Sequence, residues 1–381
     1  MYIYGVLDSN KELFFGPHGI TACEEVYTIS YQDILAVVSD SEIVDTSTLL
    51  SIDPERAKSL DYARDGSRDG ERVEPRVEWV DYTHMRKDKL AMFLVRHQKA
   101  IEKIMGLGHT IIPMRLGTFA KDIEEVRCVL ACGHSIIKDV FNKISNTIEI
   151  DITAVWGDFN SAIKEAGEDE EIKEFKERLL ASPEGVTVDD QMKIGLMVKE
   201  ALDRIREGYS KRIQSSLKSV SHDFKAHELM DDKMVANIAF LIDKRKQIKF
   251  YKKVEELNAE FNEKLNFRCV GPLPPYSFYT LEVKTVKNEE IDWAKKRLGV
   301  LDNIINKDEL KKAYRRQVFS VHPDRNPDNP CAEKEFDEVN KAYKIIADYC
   351  AALEQANPVR DEKSLSGTSQ KGNPMLVRVR E

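Results

Sequence analysis

Residues 310–325 read LKKAYRRQVFSVHPDR, and this stretch decides the fold of the last quarter of the chain. At helical spacing, one face carries Leu310, Ala313, Tyr314, Gln317, Val318 and Val321. The opposite face carries two basic rows, made of Lys311, Lys312, Arg315 and Arg316. Pro323 ends the helix, because the residue before a proline is pushed out of the helical region. The pattern predicts a basic amphipathic helix followed by a stiff corner that presents His322 and Asp324.

A second helical stretch follows, from Glu335 to Ile346. Its apolar face consists of Phe336, Val339, Ala342, Tyr343 and Ile346. Two antiparallel helices can bury these stripes against each other, with Leu298 and Val300 of a short preceding helix closing the core. A helical unit of about 60 residues has a small core, so it has little stability to spare.

A basic helix, a His-Pro-Asp corner and a returning helix together resemble the J domain of DnaJ-type co-chaperones. The resemblance implies that His322, Pro323 and Asp324 contact a DnaK-type ATPase and stimulate its hydrolysis of ATP. It also implies that the basic helix docks on an acidic surface of that ATPase, through Lys311, Lys312, Arg315 and Arg316. Three features depart from the usual pattern. The first loop is only about one residue long. Trp293 stands where many J domains have tyrosine, and the usual closing motif after the last helix is missing.

Ahead of residue 288, each half of the chain is predicted to open with an alternating strand, to pass through long helices and to return to short strands. Strands are predicted over residues 2–7, 34–39, 111–116, 148–156, 267–271 and 277–283. Helices are predicted over 83–105 and 121–143, and most of 159–265 is predicted to be helical. The longest of these helices runs from about Asp231 to Leu265, which is about 50 Å if continuous. Residues 61–78 are dense in charge and glycine and are predicted to form a solvated loop.

Six segments resemble, in order, the gas vesicle protein family GvpF/GvpL. They are residues 2–5, 112–119, 149–156, 192–202, 237–242 and 271–278, so the resemblance covers nearly all of residues 1–285. The last, GPLPPYSF, is the most specific, because so many prolines fix one extended path. It departs from the family at Leu273, where tryptophan is expected. The motif residues that we expect to matter are Arg115, Gly117, Gly271, Pro272, Pro274, Pro275, Tyr276 and Phe278.

The resemblance implies two ferredoxin-like α+β domains with added helices, followed by a small all-α J domain. The predicted boundaries are 1–146, 147–286 and 288–353, and 354–381 is predicted to be a flexible tail apart from its end. The implied role is that of an accessory protein in gas vesicle formation. Its implied partners are the small hydrophobic shell protein GvpA and other accessory proteins, in the cytoplasm or on the vesicle. The segment around residues 272–278 and a sheet face are the expected client contacts.

Composition narrows the other classes of function. The net charge is −8, from 58 basic and 66 acidic residues, so bulk electrostatics does not favour nucleic acid as a partner. No apolar run approaches the roughly 20 residues of a membrane span, and the first residues lack a secretory pattern. Six cysteines without a disulfide spacing suit a reducing cytoplasm.

No cofactor, metal or catalytic residue is expected, because no phosphate loop or hydrolase motif is found. Cys128, Cys132 and His134 could approach a metal, but the apolar residues among them favour packing. His97 is expected to be a core or boundary histidine. Arg115 is expected to pair with a carboxylate. The basic run from Lys244 to Lys253 fits a solvated helix face, with an acidic partner groove as the alternative.

Three hypotheses for the whole chain remain. The first is a gas vesicle accessory protein that binds shell protein and recruits a DnaK-type chaperone. The second is a minor structural component of the vesicle whose J-like domain only docks. The third is a general J-type co-chaperone with another client.

Overall fold

The computed structural model describes residues 1–17, 25–40, 78–79, 87–181, 186–300, 307–327, 329–356 and 374–380. The chain divides into two compact units. The first combines residues 1–143 with 279–381, and the second consists of residues 144–278. Residues 279–286, which the prediction places in the 147–286 domain, fall in the first unit. Most of the predicted loop at 61–78 lies outside the described residues.

The first unit begins with an antiparallel sheet. Its strands are β1 (Tyr2–Asp8), β2 (Phe14–Pro17), β3 (Glu25–Tyr31), β4 (Ile34–Ser39), β5 (Glu78–Trp79), β6 (Ile111–Pro113) and β7 (Thr118–Phe119). They lie in the order β2-β3-β4-β1-β7-β5, and β6 pairs with β1. Strand β4 is buried along its whole length, as the apolar run predicts.

Two helices accompany this sheet, α1 (Lys87–Gly106) and α2 (Ile123–Ile144). The predicted start of α1, residues 83–86, lies outside the described residues. His97 of α1 is only 4% exposed, and its Nδ1 lies 2.8 Å from the hydroxyl oxygen of Tyr2. Burial lowers the pKa of His97 to about 4, so the ring is neutral and acts as part of the core.

The second unit is built on an antiparallel sheet of four strands. They are β8 (Thr147–Trp156), β9 (Asp223–Ala226), β10 (Met234–Asp243) and β11 (Leu265–Leu273), in the order β11-β8-β10-β9. The helices are α3 (Phe159–Gly167), α4 (Glu170–Leu180), α5 (Val188–Lys218) and α6 (Gln247–Phe261). Strand β8 alternates as predicted, with Ile150, Ile152 and Ala154 buried on one face.

The predicted helix from Asp231 to Leu265 is wrong, because its first half is strand β10. This strand is central in its sheet and pairs with β8 on one side and β9 on the other. Both of its faces are buried, apart from the partly exposed Asn237. A run that is apolar on both faces loses the alternation that marks a strand and fits a buried helix equally well. Only the second half, α6, is helical, after a short 3₁₀ turn at Lys244–Lys246.

The first unit resumes with β12 (Thr280–Thr285) and three helices, and ends with β13 (Met375–Arg380). The helices are α7 (Asn288–Leu298), α8 (Lys307–Val321) and α9 (Ala332–Ala356). Their core is formed by Val286, Ile291, Ala294, Leu298, Leu310, Val321, Val339, Ala342, Ile345, Ile346 and Cys350. Strand β13 pairs antiparallel with β12, so this part of the predicted flexible tail is ordered.

Two glycines give a test of the first sheet. A Cβ on Gly5 would lie 2.5 Å from the Ile112 carbonyl oxygen, whereas a Cβ on Gly195 of α5 would meet nothing within 4 Å. We expect Gly5→Ala to lower the free energy of unfolding by about 1–3 kcal/mol or more. The matched control Gly195→Ala should raise it by about 0.5–1 kcal/mol. Urea unfolding of the two variants measures both, and equal values would contradict the packing around β1.

Candidate functional site

The predicted His-Pro-Asp corner forms directly after α8. His322 is extended (φ −59°, ψ 129°), and Pro323–Arg325 make one 3₁₀ turn. The Asp324 amide donates to His322 Nδ1 at 3.2 Å. The Asn326 side chain donates to the carbonyl oxygens of Ser320 at 2.9 Å and His322 at 3.1 Å. The corner is therefore closed by its own hydrogen bonds. The helix ends at Val321, before Pro323, as the proline restriction predicts.

The corner also rests on the returning helix. The His322 ring lies edge-on to Phe336 of α9, with ring centroids 5.4 Å apart. The rings of Tyr314 of α8 and Tyr343 of α9 pack against each other at a tilt of 35°, with centroids 4.4 Å apart. The Tyr314 hydroxyl donates to the side-chain oxygen of Asn340 at 2.8 Å. These contacts fix the position of the corner relative to both helices.

The side chains on the solvent-facing side of α8 are basic. Lys311, Lys312, Arg315 and Arg316 are all exposed on one side of α8, and the Asp324 side chain is 89% exposed. The structure thus brings the seven predicted chaperone-binding residues together on one helix and the corner that follows it. Such an exposed basic row suits steering and orientation of an acidic partner.

One pair beside the corner was missed by the sequence reasoning. Phe319 is 61% exposed on α8, and the Arg325 guanidinium lies 3.6 Å from the centre of its ring. A cation over an aromatic face is attracted by the negative charge of that face. The spacing of six residues across a proline turn gives no sequence signal for this contact.

In the second unit, the proline-rich segment is held by a buried carboxylate. Pro274 and Pro275 are buried, and Ser277 donates to Glu149 from its amide at 2.9 Å and from its hydroxyl at 2.7 Å. Gly271 has φ +148°, and a Cβ there would lie 2.9 Å from the Glu149 carbonyl oxygen. The backbone therefore approaches β8 as only glycine allows. Tyr276 and Phe278 are half-buried.

The other two family-motif residues lie in the first unit. The Arg115 guanidinium pairs with Glu282 of β12 at 3.4 Å, so the structure confirms that Arg115 pairs with a carboxylate. Gly117 has φ +84°, and its amide lies 3.4 Å from the Tyr2 hydroxyl. Arg115 and Gly117 thus shape the turn between β6 and β7.

A second surface was not identified from the sequence. Large apolar side chains on α4, α5 and the link between them are exposed: Leu180 (81%), Val186 (44%), Val188 (70%), Met192 (64%) and Leu196 (56%). The last three recur every four residues and so share one face of α5. We call these five side chains the apolar stripe. In the sequence, such spacing fits a buried face equally well, so it gave no separate signal.

The alternative sites receive no support among the described residues. No group of three or more His, Cys, Asp or Glu residues there could hold a metal ion. His134 lies 2.7 Å from an Asp33 carboxylate oxygen instead of facing the cysteines of α2. None of the described helices combines the length and apolar character of a membrane span.

Comparison with known proteins assigns two parts of the chain to two families. Residues 1–280 match the family described as gas vesicle synthesis protein GvpL/GvpF, and residues 296–350 match the DnaJ domain. Gas vesicle protein F1 of Halobacterium salinarum is 22% identical over 74% of this chain and 94% of its own length. A chaperone protein DnaJ of Bordetella petrii is 53% identical, over 13% of each chain.

The fold also has solved relatives. The crystal structure of GvpF from Anabaena covers 73% of this chain and 96% of its own, with a TM-score of 0.55 and 18% identity. That of GvpF from Microcystis aeruginosa gives a TM-score of 0.51. A chain with this α+β part and a helical J-type corner is a fusion of two protein classes. It belongs to the GvpL/GvpF family of gas vesicle proteins and carries a DnaJ domain at residues 296–350. Both are structural or co-chaperone families.

The buried carboxylate gives a pH test. Burial and the neighbouring Asp151 charge raise the pKa of Glu149 from 4.5 to about 8. The folded chain thus keeps a proton that the unfolded chain releases, so stability falls as pH rises from 4.5 to about 8. We expect Glu149→Gln, which cannot ionise, to flatten this fall, as measured by thermal unfolding across that range. The exposed Glu228→Gln should keep the wild-type slope. An unchanged slope in Glu149→Gln would contradict the assignment.

Proposed function

We propose that this protein binds the gas vesicle shell protein GvpA, alone or with other accessory proteins, and recruits a DnaK-type ATPase to it. It acts by binding rather than by catalysis of its own, in the cytoplasm at the growing vesicle. The observation that carries the proposal is the intact corner on a DnaJ domain within a GvpL/GvpF chain. His322 and Asp324 are accessible, and the basic row beside them is free of described acidic partners.

The corner and the shell protein have different chemistry, and this suggests a separate role for each partner. The corner offers a histidine, a carboxylate and a basic helix, which can orient and stimulate a partner enzyme. The shell protein is hydrophobic, and apolar surfaces aggregate before they are assembled. A chaperone bound at that surface would keep the shell protein soluble until it is assembled into the vesicle shell.

We expect His322→Gln to abolish stimulation of the ATPase, because the substitution removes the imidazole that receives the Asp324 amide and packs on Phe336. The measurement is single-turnover ATP hydrolysis by a DnaK-type chaperone with full-length protein. The control is His222→Gln, which changes an exposed histidine of the second unit. If His322→Gln stimulated as well as the control, the recruitment proposal would be lost and a docking-only domain would remain.

Arg315→Glu tests the basic row separately. It reverses one exposed charge of that row, so we expect weaker binding to the ATPase and a smaller dependence of binding on salt. Lys334→Glu, an exposed lysine at the start of α9, is the matched control and should change neither. Titration of ATPase stimulation at two salt concentrations gives both values. Equal losses in the two variants would indicate bulk charge, not the row on α8.

For the client we propose the apolar stripe, in place of the segment at 272–278. That segment has two buried prolines and is tied down by Glu149, so it offers little free apolar surface. The stripe offers five exposed apolar side chains on neighbouring elements, three of them on one face of α5, and exposed apolar surface of this kind is typical of interaction sites. An amphipathic or apolar shell protein is a partner of matching chemistry.

We expect the double variant Met192→Lys and Leu196→Lys to weaken shell-protein binding about tenfold or more, because it places two charges in the stripe. Binding of purified full-length protein to solubilised shell protein measures the effect. The control is Ile248→Lys, since Ile248 is 85% exposed on α6, outside the stripe. Equal binding by the double variant and the control would move the client to another surface.

A further inference from the structure

The DnaJ domain is inserted between two paired strands. Strand β12 precedes the three helices and β13 follows them, with Thr280 opposite Arg380 and Thr285 opposite Met375. The base of the insertion is closed by the Val286 amide, which donates to the Pro374 carbonyl oxygen at 2.9 Å. Both ends of the helical segment are thus attached to one antiparallel pair of strands, rather than linked to the chain by a single connection.

This pair of strands is joined to the first sheet. Met114, next to β6, forms a parallel bridge with Leu281 of β12, and the Arg115 amide donates to the Leu281 carbonyl oxygen at 2.7 Å. Strand β13 also contacts α2. A Cβ on Gly133 would lie 2.7 Å from a Val377 methyl carbon, so the missing side chain makes room for the fully buried Val377.

On its other side, β13 is held by α9 of the DnaJ domain. The Gln355 side-chain amide donates to the Val377 carbonyl oxygen at 2.6 Å, and its oxygen accepts from the Val377 amide at 3.0 Å. Gln355 thus replaces a neighbouring strand at this edge and covers backbone groups that would otherwise be unpaired.

Charged side chains complete the attachment. Arg378 of β13 donates to Glu282 at 2.6 Å and lies 3.4 Å from Asp348 of α9. Glu282 also pairs with Arg115, and Asp348 also pairs with Lys284 of β12. Glu282 and Asp348 are each 8% exposed. Buried charges of this kind are tolerated when paired, and removing one partner is costly.

We infer that β13 is a latch that holds the DnaJ domain in one fixed orientation on residues 1–143 of the first unit. The latch residues are Glu282, Asp348, Gln355, Val377 and Arg378. With the latch closed, the basic row of α8 and Asp324 remain exposed. The docking site then keeps one orientation, and any ATPase that binds it is held in a fixed position relative to residues 1–143. The inference does not depend on the ATPase being stimulated.

The test is a distance distribution between two spin labels in the full-length protein. Exposed Cys128 on α2 and exposed Cys331 at the start of α9 carry the labels. Cys23, Cys132 and Cys269 are replaced by serine, and the buried Cys350 is kept. We expect one narrow distribution in this reference protein. Double electron–electron resonance gives the width.

Three variants decide the outcome. Arg378→Gln removes the bonds to Glu282 and Asp348, and Gly133→Val pushes on Val377 from the side opposite to α9. Both should broaden the distribution. Arg380→Gln, the matched change at the exposed end of the same strand, should leave it narrow.

Because Arg378→Gln and Gly133→Val act from opposite sides of β13, broadening in both cannot come from local damage to α9. A broad distribution in the reference protein would overturn the inference. So would a narrow one in both variants, or broadening by Arg380→Gln to the same extent. Arg378→Gln should still stimulate the ATPase, since it leaves α8 unchanged. A failure of stimulation in the reference protein is therefore distinct from a failure of the latch.

Discussion

The arrangement of the first unit depends on the pairing of β12 with β13. These strands are separated in sequence by the whole DnaJ domain, so their pairing brings both ends of that domain together. The buried acids Glu282 and Asp348 then lie among Arg115, Lys284 and Arg378. Each acid has two cationic neighbours, which offsets the cost of removing it from water. The paired strands thus join residues 1–143 and the DnaJ domain into one compact unit.

The two proposed binding surfaces differ in how they are built. The corner after α8 is small, polar and held by hydrogen bonds within a few residues of sequence. Most of its hydrogen bonds are local in sequence, and α9 adds contacts from Phe336 and Asn340. The apolar stripe is a surface left uncovered by the second unit, and its five side chains come from α4, α5 and their link. The first surface suits orientation of a folded partner, and the second suits an apolar client.

The sequence predicted the elements whose pattern has a single interpretation. Strand β8 alternates, α8 has opposed apolar and basic faces, and Pro323 ends that helix. The predicted helix over Asp231–Leu265 failed because β10 is buried on both faces, and a continuous apolar run has no visible period. Glu149 gave no signal either. Its partner Ser277 is far away in sequence, and an alternating strand is expected to turn charged residues to water.

By itself, the sequence determined the two families, the α+β class with an all-α addition, and the residues of the corner. These depend on local spacing and on short rigid motifs such as residues 271–278, which side-chain volume and proline geometry fix. The tertiary structure alone decided that Met375–Arg380 form a strand and that this strand pairs with the strand that begins at Thr280. It also decided that this pair of strands anchors the DnaJ domain. The tertiary structure also decided that the apolar stripe stays exposed. The physical reason is that strand pairing, ion pairing and burial join residues distant in sequence, so their partners cannot be found from the pattern of either segment.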